Sequence, residues 1–214
     1  MSKLISLQEA VSHIKSGMTI MVGGFLGVGS PNRILDEILK TDVKDLTIIC
    51  NDTGFPDKGS GKLIVARRVS SVITSHIGTN PHTGDQYHAG ELKITFVPQG
   101  TLIEQIRCAG AGLGGILTPT GLGTVIQEGK KVICVDGKDY LLEKPLRADV
   151  ALVGASVADE EGNLFYRGNT RNFNVMMAMA ADLVIAEVKE LVKTGEILPE
   201  HVHTQSIFVD YIVK

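Results

Sequence analysis

The sequence predicts an open three-layer α/β/α domain with a mainly parallel sheet and a small antiparallel hairpin. Three observations carry this. Six short runs, 19–22, 46–50, 69–74, 92–97, 150–156 and 183–188, are β-rich and near-continuously apolar, the mark of strands covered on both faces. Segments of helical character at 31–40, 62–68, 102–108 and 171–181 alternate with them as crossover helices. One element breaks the alternation: 132–135, then Asp136-Gly137, then 140–143 has the turn chemistry of a β-hairpin.

Residues 1–17 show periodic apolar positions broken by Glu9 and Lys15, which predicts a helix and not a signal peptide. The next segment, 16–31, is the most informative. An apolar strand runs into Gly23, Gly24, Gly27 and Gly29, with Ser30 expected as N-cap and Pro31 at the first position of a helix over 32–40. Backbone N–H groups at such a turn can face an anion or a carbonyl oxygen, and missing Cβ atoms let a ligand come close. The glycine order, Gly24-x-x-Gly27-x-Gly29, reverses the dinucleotide fingerprint. Gly61-Lys62 is followed by Leu63, so a P-loop also fails. Further on, 110–123 carries six glycines and is expected to be one loop, mobile or tightly folded.

Composition narrows the class. The 214 residues are 43% hydrophobic and 21% charged, enough for one sizeable core, and no linker-like stretch interrupts them, so a single domain over 1–214 is expected. A net charge of −3 gives no electrostatic reason to bind nucleic acid or an anionic membrane. Cys50, Cys108 and Cys134 form no C-x-x-C and are expected as inert buried thiols in a cytoplasmic chain. The six histidines form no H-E-x-x-H, so no metal site is expected, and His201 with His203 reads as a surface or terminal pair. There is no G-x-S-x-G nucleophile elbow. Met176, Met177 and Met179 read as core or subunit packing.

The run Ile20-Met21-Val22-Gly23-Gly24-Phe25, followed by Gly29 and Pro31, resembles the signature of the alpha (A) subunits of family I, 3-oxoacid-type CoA-transferases. Ser16 stands where that family usually has Asp or Asn, a turn-capping position that Ser can also fill. The blocks 51–63, 77–84, 98–124 and 159–174 are similar to the same subunit in the same order, most of all to the acetate/butyrate–acetoacetate A subunits. The resemblance implies the fold shared with the sugar-phosphate isomerases and an enzyme that exchanges CoA between an acyl-CoA and a free short-chain carboxylate. It implies a ping-pong reaction through a glutamyl–CoA thioester, the glutamate standing in a Ser-Glu-Asn-Gly motif on a beta subunit, in an α2β2 assembly. CoA is then substrate, and no metal or redox cofactor is implied.

Glu161, in Asp159-Glu160-Glu161-Gly162-Asn163, is the tempting nucleophile, but its order is Glu-Gly-Asn with no Ser before it. It is assigned to a β-turn. Two neutral amides, Asn51 and Gln99, follow apolar runs at strand ends, where open parallel sheets place ligands. The resemblance assigns their counterparts to the pocket around the glutamate and acyl group, where neutral donors could support an oxyanion; turn capping is the competing reading. Gly23, Gly24, Phe25, Gly27, Gly29 and Pro31 are the candidate CoA- or substrate-binding residues. Arg167, Arg171 and Asn172 are candidates for the subunit boundary or CoA phosphates, with a solvated or salt-bridged surface role as the competing reading. Two other classes stay open at this point: a self-sufficient sugar-phosphate isomerase or lactonase, and a non-catalytic nucleotide- or acyl-CoA-binding module.

Overall fold

The computed structural model describes residues 3–214. Helix α1 (Leu7–Ser12) is capped by Ser6, whose hydroxyl accepts the Glu9 N–H at 3.1 Å. There follow β1 (Thr19–Val22), α2 (Asn32–Ile38), β2 (Leu46–Ile49), α3 (Gly61–Val65), β3 (Val69–Thr74), α4 (Pro81–His88), β4 (Lys93–Phe96) and α5 (Gln99–Gly110). An antiparallel insert comprises β5 (Ile116–Thr118), β6 (Val132–Val135) and β7 (Lys138–Glu143). The chain returns through β8 (Ala148–Asp159), β9 (Leu164–Phe165), α6 (Asn174–Ala178), β10 (Ala181–Val192) and β11 (Tyr211–Val213).

The main sheet has the order β11-β10-β8-β1-β2-β3-β4, with β9 paired antiparallel to the far end of β8 and every other pairing parallel. Successive residues of each strand serve opposite faces. Ile20, Val22, Ile48, Val150 and Leu152 pack with α1, α2 and α3, whereas Met21, Ile49, Ala151 and Val153 pack with α5 and α6. Both faces are therefore covered, which is why the strands read as unbroken apolar runs. Strand order reverses between β1 and β8, the switch point at which such sheets open a crevice at their carboxyl ends.

The predicted three-layer class is what the chain adopts, and the differences are local. The hairpin gains a third strand, in the order β5-β7-β6, and is tied to α5 through buried Glu143, which accepts from Gln105 Nε2 at 3.0 Å and Lys130 Nζ at 2.6 Å. The stretch 110–123 is not one loop, since Gly110 closes α5 and 116–118 form a strand. The helix expected over 171–181 shrinks to α6, because the Asn172 and Asn174 side chains bind backbone groups nearby and Ala181 already pairs with Ala148. Helix α4 has too little apolar periodicity to be read ahead; its Pro81 at the first turn was the available signal. Cys50 and Cys108 are buried as expected, but Cys134 is exposed on β6. His203 is not a loose terminal residue: its ring stacks on Phe165, and its Nδ1 accepts the Tyr166 N–H at 3.2 Å. Among the described residues no helix is long and apolar enough to cross a membrane.

Candidate active site

The loop that leaves β1 is seated, not open. Phe25 and Val28 exchange N–H···O bonds of 3.0 and 2.9 Å across a tight turn at Leu26-Gly27. The Gly23 N–H donates to Leu152 O, the Gly24 N–H to Asn172 Oδ1 at 3.2 Å, and the Leu26 N–H to Asp52 Oδ2 at 3.0 Å. Of the two expected partners for such N–H groups, an anion or a carbonyl oxygen, Gly23 meets a carbonyl, and Gly24 and Leu26 meet side-chain oxygens of the same chain. The N-cap expectation changes. Pro31 itself is the N-cap of α2 with no side-chain cap, and the Ile34 N–H is accepted by Glu187 Oε2, from β10, at 2.8 Å.

Asn174 holds the loop down. Its Oδ1 accepts the Gly154 N–H at 3.0 Å, and its Nδ2 donates to Gly29 O at 3.0 Å and Thr170 O at 2.8 Å. A Cβ on Gly23 would overlap Asn174 Oδ1, and one on Gly154 would overlap the Gly29 carbonyl oxygen. The glycines are thus required for close approach of loop to strand. Of the candidate binding residues, Gly23, Gly24 and Pro31 are buried, Gly27 and Gly29 are half-buried, and Phe25 is exposed. Phe25 borders an open cleft of ≈ 520 Å³ with Arg171, Asn172, Val175 and Met176. Arg167 instead pairs with Glu190 at 3.3 Å.

A feature that escaped the sequence reading lies thirty residues downstream. Gly24-Phe25…Gly29-Ser30 recurs as Gly54-Phe55…Gly59-Ser60, and the second stretch builds the same tight turn after β2, with Phe55 bridged to Lys58. The second copy is tied to the helix that follows the first: the Gly59 N–H donates to Asn32 Oδ1, at the start of α2, at 3.0 Å. The repeated G-F-x-x-x-G-S was the signal that could have exposed this pairing.

The two predicted amides meet. Gln99 Nε2 donates to Asn51 Oδ1 at 2.9 Å, and the Ser75 hydroxyl, 3.3 Å from the same oxygen, donates to the Asn51 backbone carbonyl at 2.6 Å. Asn51 Nδ2 in turn donates to Asp52 Oδ2 at 3.1 Å. Their exposure separates their roles: Asn51 is 1% accessible and Gln99, the first residue of α5, is exposed. Gln99 can touch a ligand; Asn51 orients Gln99. Beneath them Cys50 is buried, and desolvation pushes its thiol up to about 12. Glu161 is exposed in the β8–β9 turn, which Asp159 organises by accepting the N–H groups of Glu161, Gly162 and Asn163. Among the described residues no group of three or more His, Cys, Asp or Glu is arranged to hold a metal ion.

Behind the loop, Glu187 lines a pocket of ≈ 260 Å³ with Gly29, Gly154, Ser156 and Thr170. Burial lifts its carboxyl above the ordinary range, outweighing the Ile34 and Arg33 N–H groups that favour the anion. The folded chain thus keeps a proton that the unfolded chain releases, so this group's contribution to stability falls as pH rises from about 4.3, the ordinary glutamate value, to the raised one. Glu187→Gln keeps an acceptor for Ile34 but does not titrate. Urea unfolding across that window is expected to show a flatter pH slope for the variant; an unchanged slope would assign the dependence to other groups.

The sequence profile of the family described as Coenzyme A transferase matches residues 4–214. The chain belongs to that family. This CoA-transferase chain is 55% identical to the acetate CoA-transferase subunit alpha of Escherichia coli K12, over 99% of its own length and 96% of the relative's. It is 50% identical to the acetoacetyl-CoA:acetate/butyrate CoA transferase alpha subunit of Clostridium acetobutylicum, over 100% and 98%. Among solved structures, an acyl-CoA transferase from E. coli O157:H7, in a thioester complex with CoA, superposes with a TM-score of 0.87 at 24% identity. That match covers 99% of this chain and 47% of the other, so the CoA-transferase chain spans about half of that protein and shares its fold.

Proposed function

We propose that this chain is the alpha subunit of a short-chain acyl-CoA:carboxylate CoA-transferase, exchanging CoA between an acyl-CoA and free acetate, butyrate or acetoacetate. In this reading the glutamate nucleophile comes from a beta subunit, the assembly is α2β2, and CoA enters as substrate with no metal or redox cofactor. Two relatives similar over the whole chain carry names of this kind. The observation that carries the reading is the amide pair: an exposed neutral donor, Gln99, braced at 2.9 Å by buried Asn51.

Such a donor suits a carboxylate attacking a thioester. The partner's glutamate adds to the acyl carbonyl, the carbonyl oxygen takes up the negative charge, and a second Gln99 N–H is available to receive it. The C–S bond then breaks to release CoA thiolate and leave an acyl–glutamyl anhydride. Attack by that thiolate on the glutamyl carbonyl expels the first carboxylate and forms the glutamyl–CoA thioester, and a second carboxylate reverses the sequence. A neutral amide stabilises the oxyanion without neutralising the nucleophile, as Arg or Lys would. Asp52, the carboxylate adjoining the pair, is poorly suited to attack, since its two oxygens already hold three donors.

The test is reconstitution. The purified chain alone is expected to show no CoA transfer from acetoacetyl-CoA to acetate, and activity is expected on mixing with a beta subunit that contains Ser-Glu-Asn-Gly. Turnover by the lone chain, or a CoA adduct trapped on one of its own glutamates, would overturn the division of labour.

A further inference from the structure

We propose that Asp52 is the positioning residue that fixes the direction of Gln99 and couples it to the seat of the glycine loop. This rests on the reading of Gln99 as the ligand-facing donor. Asp52 is 6% accessible, and its carboxylate gathers donors from three places. Oδ2 accepts the Leu26 N–H of the first loop at 3.0 Å and Asn51 Nδ2 at 3.1 Å; Oδ1 accepts the Gly54 N–H of the second loop at 2.8 Å. A group with two oxygens and no hydrogen of its own satisfies all three, which no other side chain of this size does.

The Asn51 carboxamide can face either of two ways, and Asp52 decides between them. With Nδ2 toward the Asp52 carboxylate, Oδ1 points at Gln99 Nε2, and both contacts join a donor to an acceptor. Turned over, Asn51 would set its oxygen against a carboxylate and its NH₂ against the NH₂ of Gln99. Asp52 therefore selects one orientation of a buried amide, and that amide holds the exposed Gln99. Because the same carboxylate grips Leu26 N–H, displacement of the glycine loop loosens the hold on Asn51. A ligand that settles the loop thereby sharpens the aim of Gln99.

The experiment has two arms. On the full chain, Asp52→Asn is expected to move the side-chain amide resonances of Gln99 in a ¹H–¹⁵N spectrum, with Gln99→Ala identifying them; unmoved resonances would overturn the proposal. With the beta subunit present, D52N is expected to lower kcat about tenfold, with KM for acyl-CoA little changed. In a Gln99→Ala background the same change is expected to cost no more than about twofold, because the route through Gln99 is gone. A full tenfold loss in that background would mean that Asp52 acts on the fold alone, and would also overturn the proposal. If Gln99→Ala leaves turnover untouched, the donor role of Gln99 falls, while the resonances still decide whether Asp52 aims it. Should D52N fail to fold, Asp52→Ser, with one acceptor oxygen for three donors, takes the same measurements with the same expected outcomes.

Discussion

Gln99→Ala is expected to lower kcat of the assembled enzyme about a hundredfold, the scale on which loss of one oxyanion donor acts. The donor strengthens its hold as charge builds on the carbonyl oxygen, so the loss falls on kcat and leaves KM for acyl-CoA nearly unchanged. Folding is little affected: Gln99 is exposed and its side chain makes one hydrogen bond, to Asn51. Gln99→Glu is a sharper probe. It keeps the size, but it turns a carboxylate toward Asn51 Oδ1 and toward the developing negative charge, so turnover is expected to fall at least as far. Steady-state kinetics together with the mass of the complex separates these effects from lost assembly. A Q99A enzyme with normal kcat would remove the donor assignment.

Asn174→Ala is expected to produce the largest loss of stability. The side chain is fully buried and satisfies the Gly154 N–H and the carbonyls of Gly29 and Thr170. Leaving buried backbone groups unpaired costs about 1–3 kcal/mol each, and with partial relaxation the sum is ~3–5 kcal/mol. For a chain of this size that lowers Tm by about 10 °C, measurable by scanning calorimetry. The acceptor for Gly154 survives in Asn174→Asp, but its second oxygen faces two carbonyls, so the aspartate variant is expected to be no better. If either variant melts with the parent, the loop is held by something other than this side chain.

Much of the fold was legible because a parallel sheet buried on both faces leaves a coarse trace. The runs at 19–22 and 69–74 match β1 and β3 residue for residue, and the turn at Asp136-Gly137 marked its hairpin. Helix α4 was not legible, since Pro81–His88 presents no apolar stripe. In the candidate site, the meeting of Asn51 with Gln99 could be anticipated because both follow strand ends, where a parallel sheet collects ligands. Asp52 and Asn174 could not, because the partners that tie them to the glycine loop are remote in sequence: Leu26 lies 26 residues from Asp52, and Gly29 lies 145 from Asn174. Local pattern reports the backbone's own needs. It does not report which distant carbonyl a buried amide will meet, so the bonds that seat the glycine loop were not foreseen.

The doubled turn restricts how this chain can be re-engineered. The turn at Phe25 is gripped by Asp52, which stands just before the second copy, and the turn at Phe55 leans on Asn32, which stands just after the first. A graft that swaps one turn from a relative delivers half of a mated pair. A chimaera built between such relatives has to carry both turns together, as a single cassette.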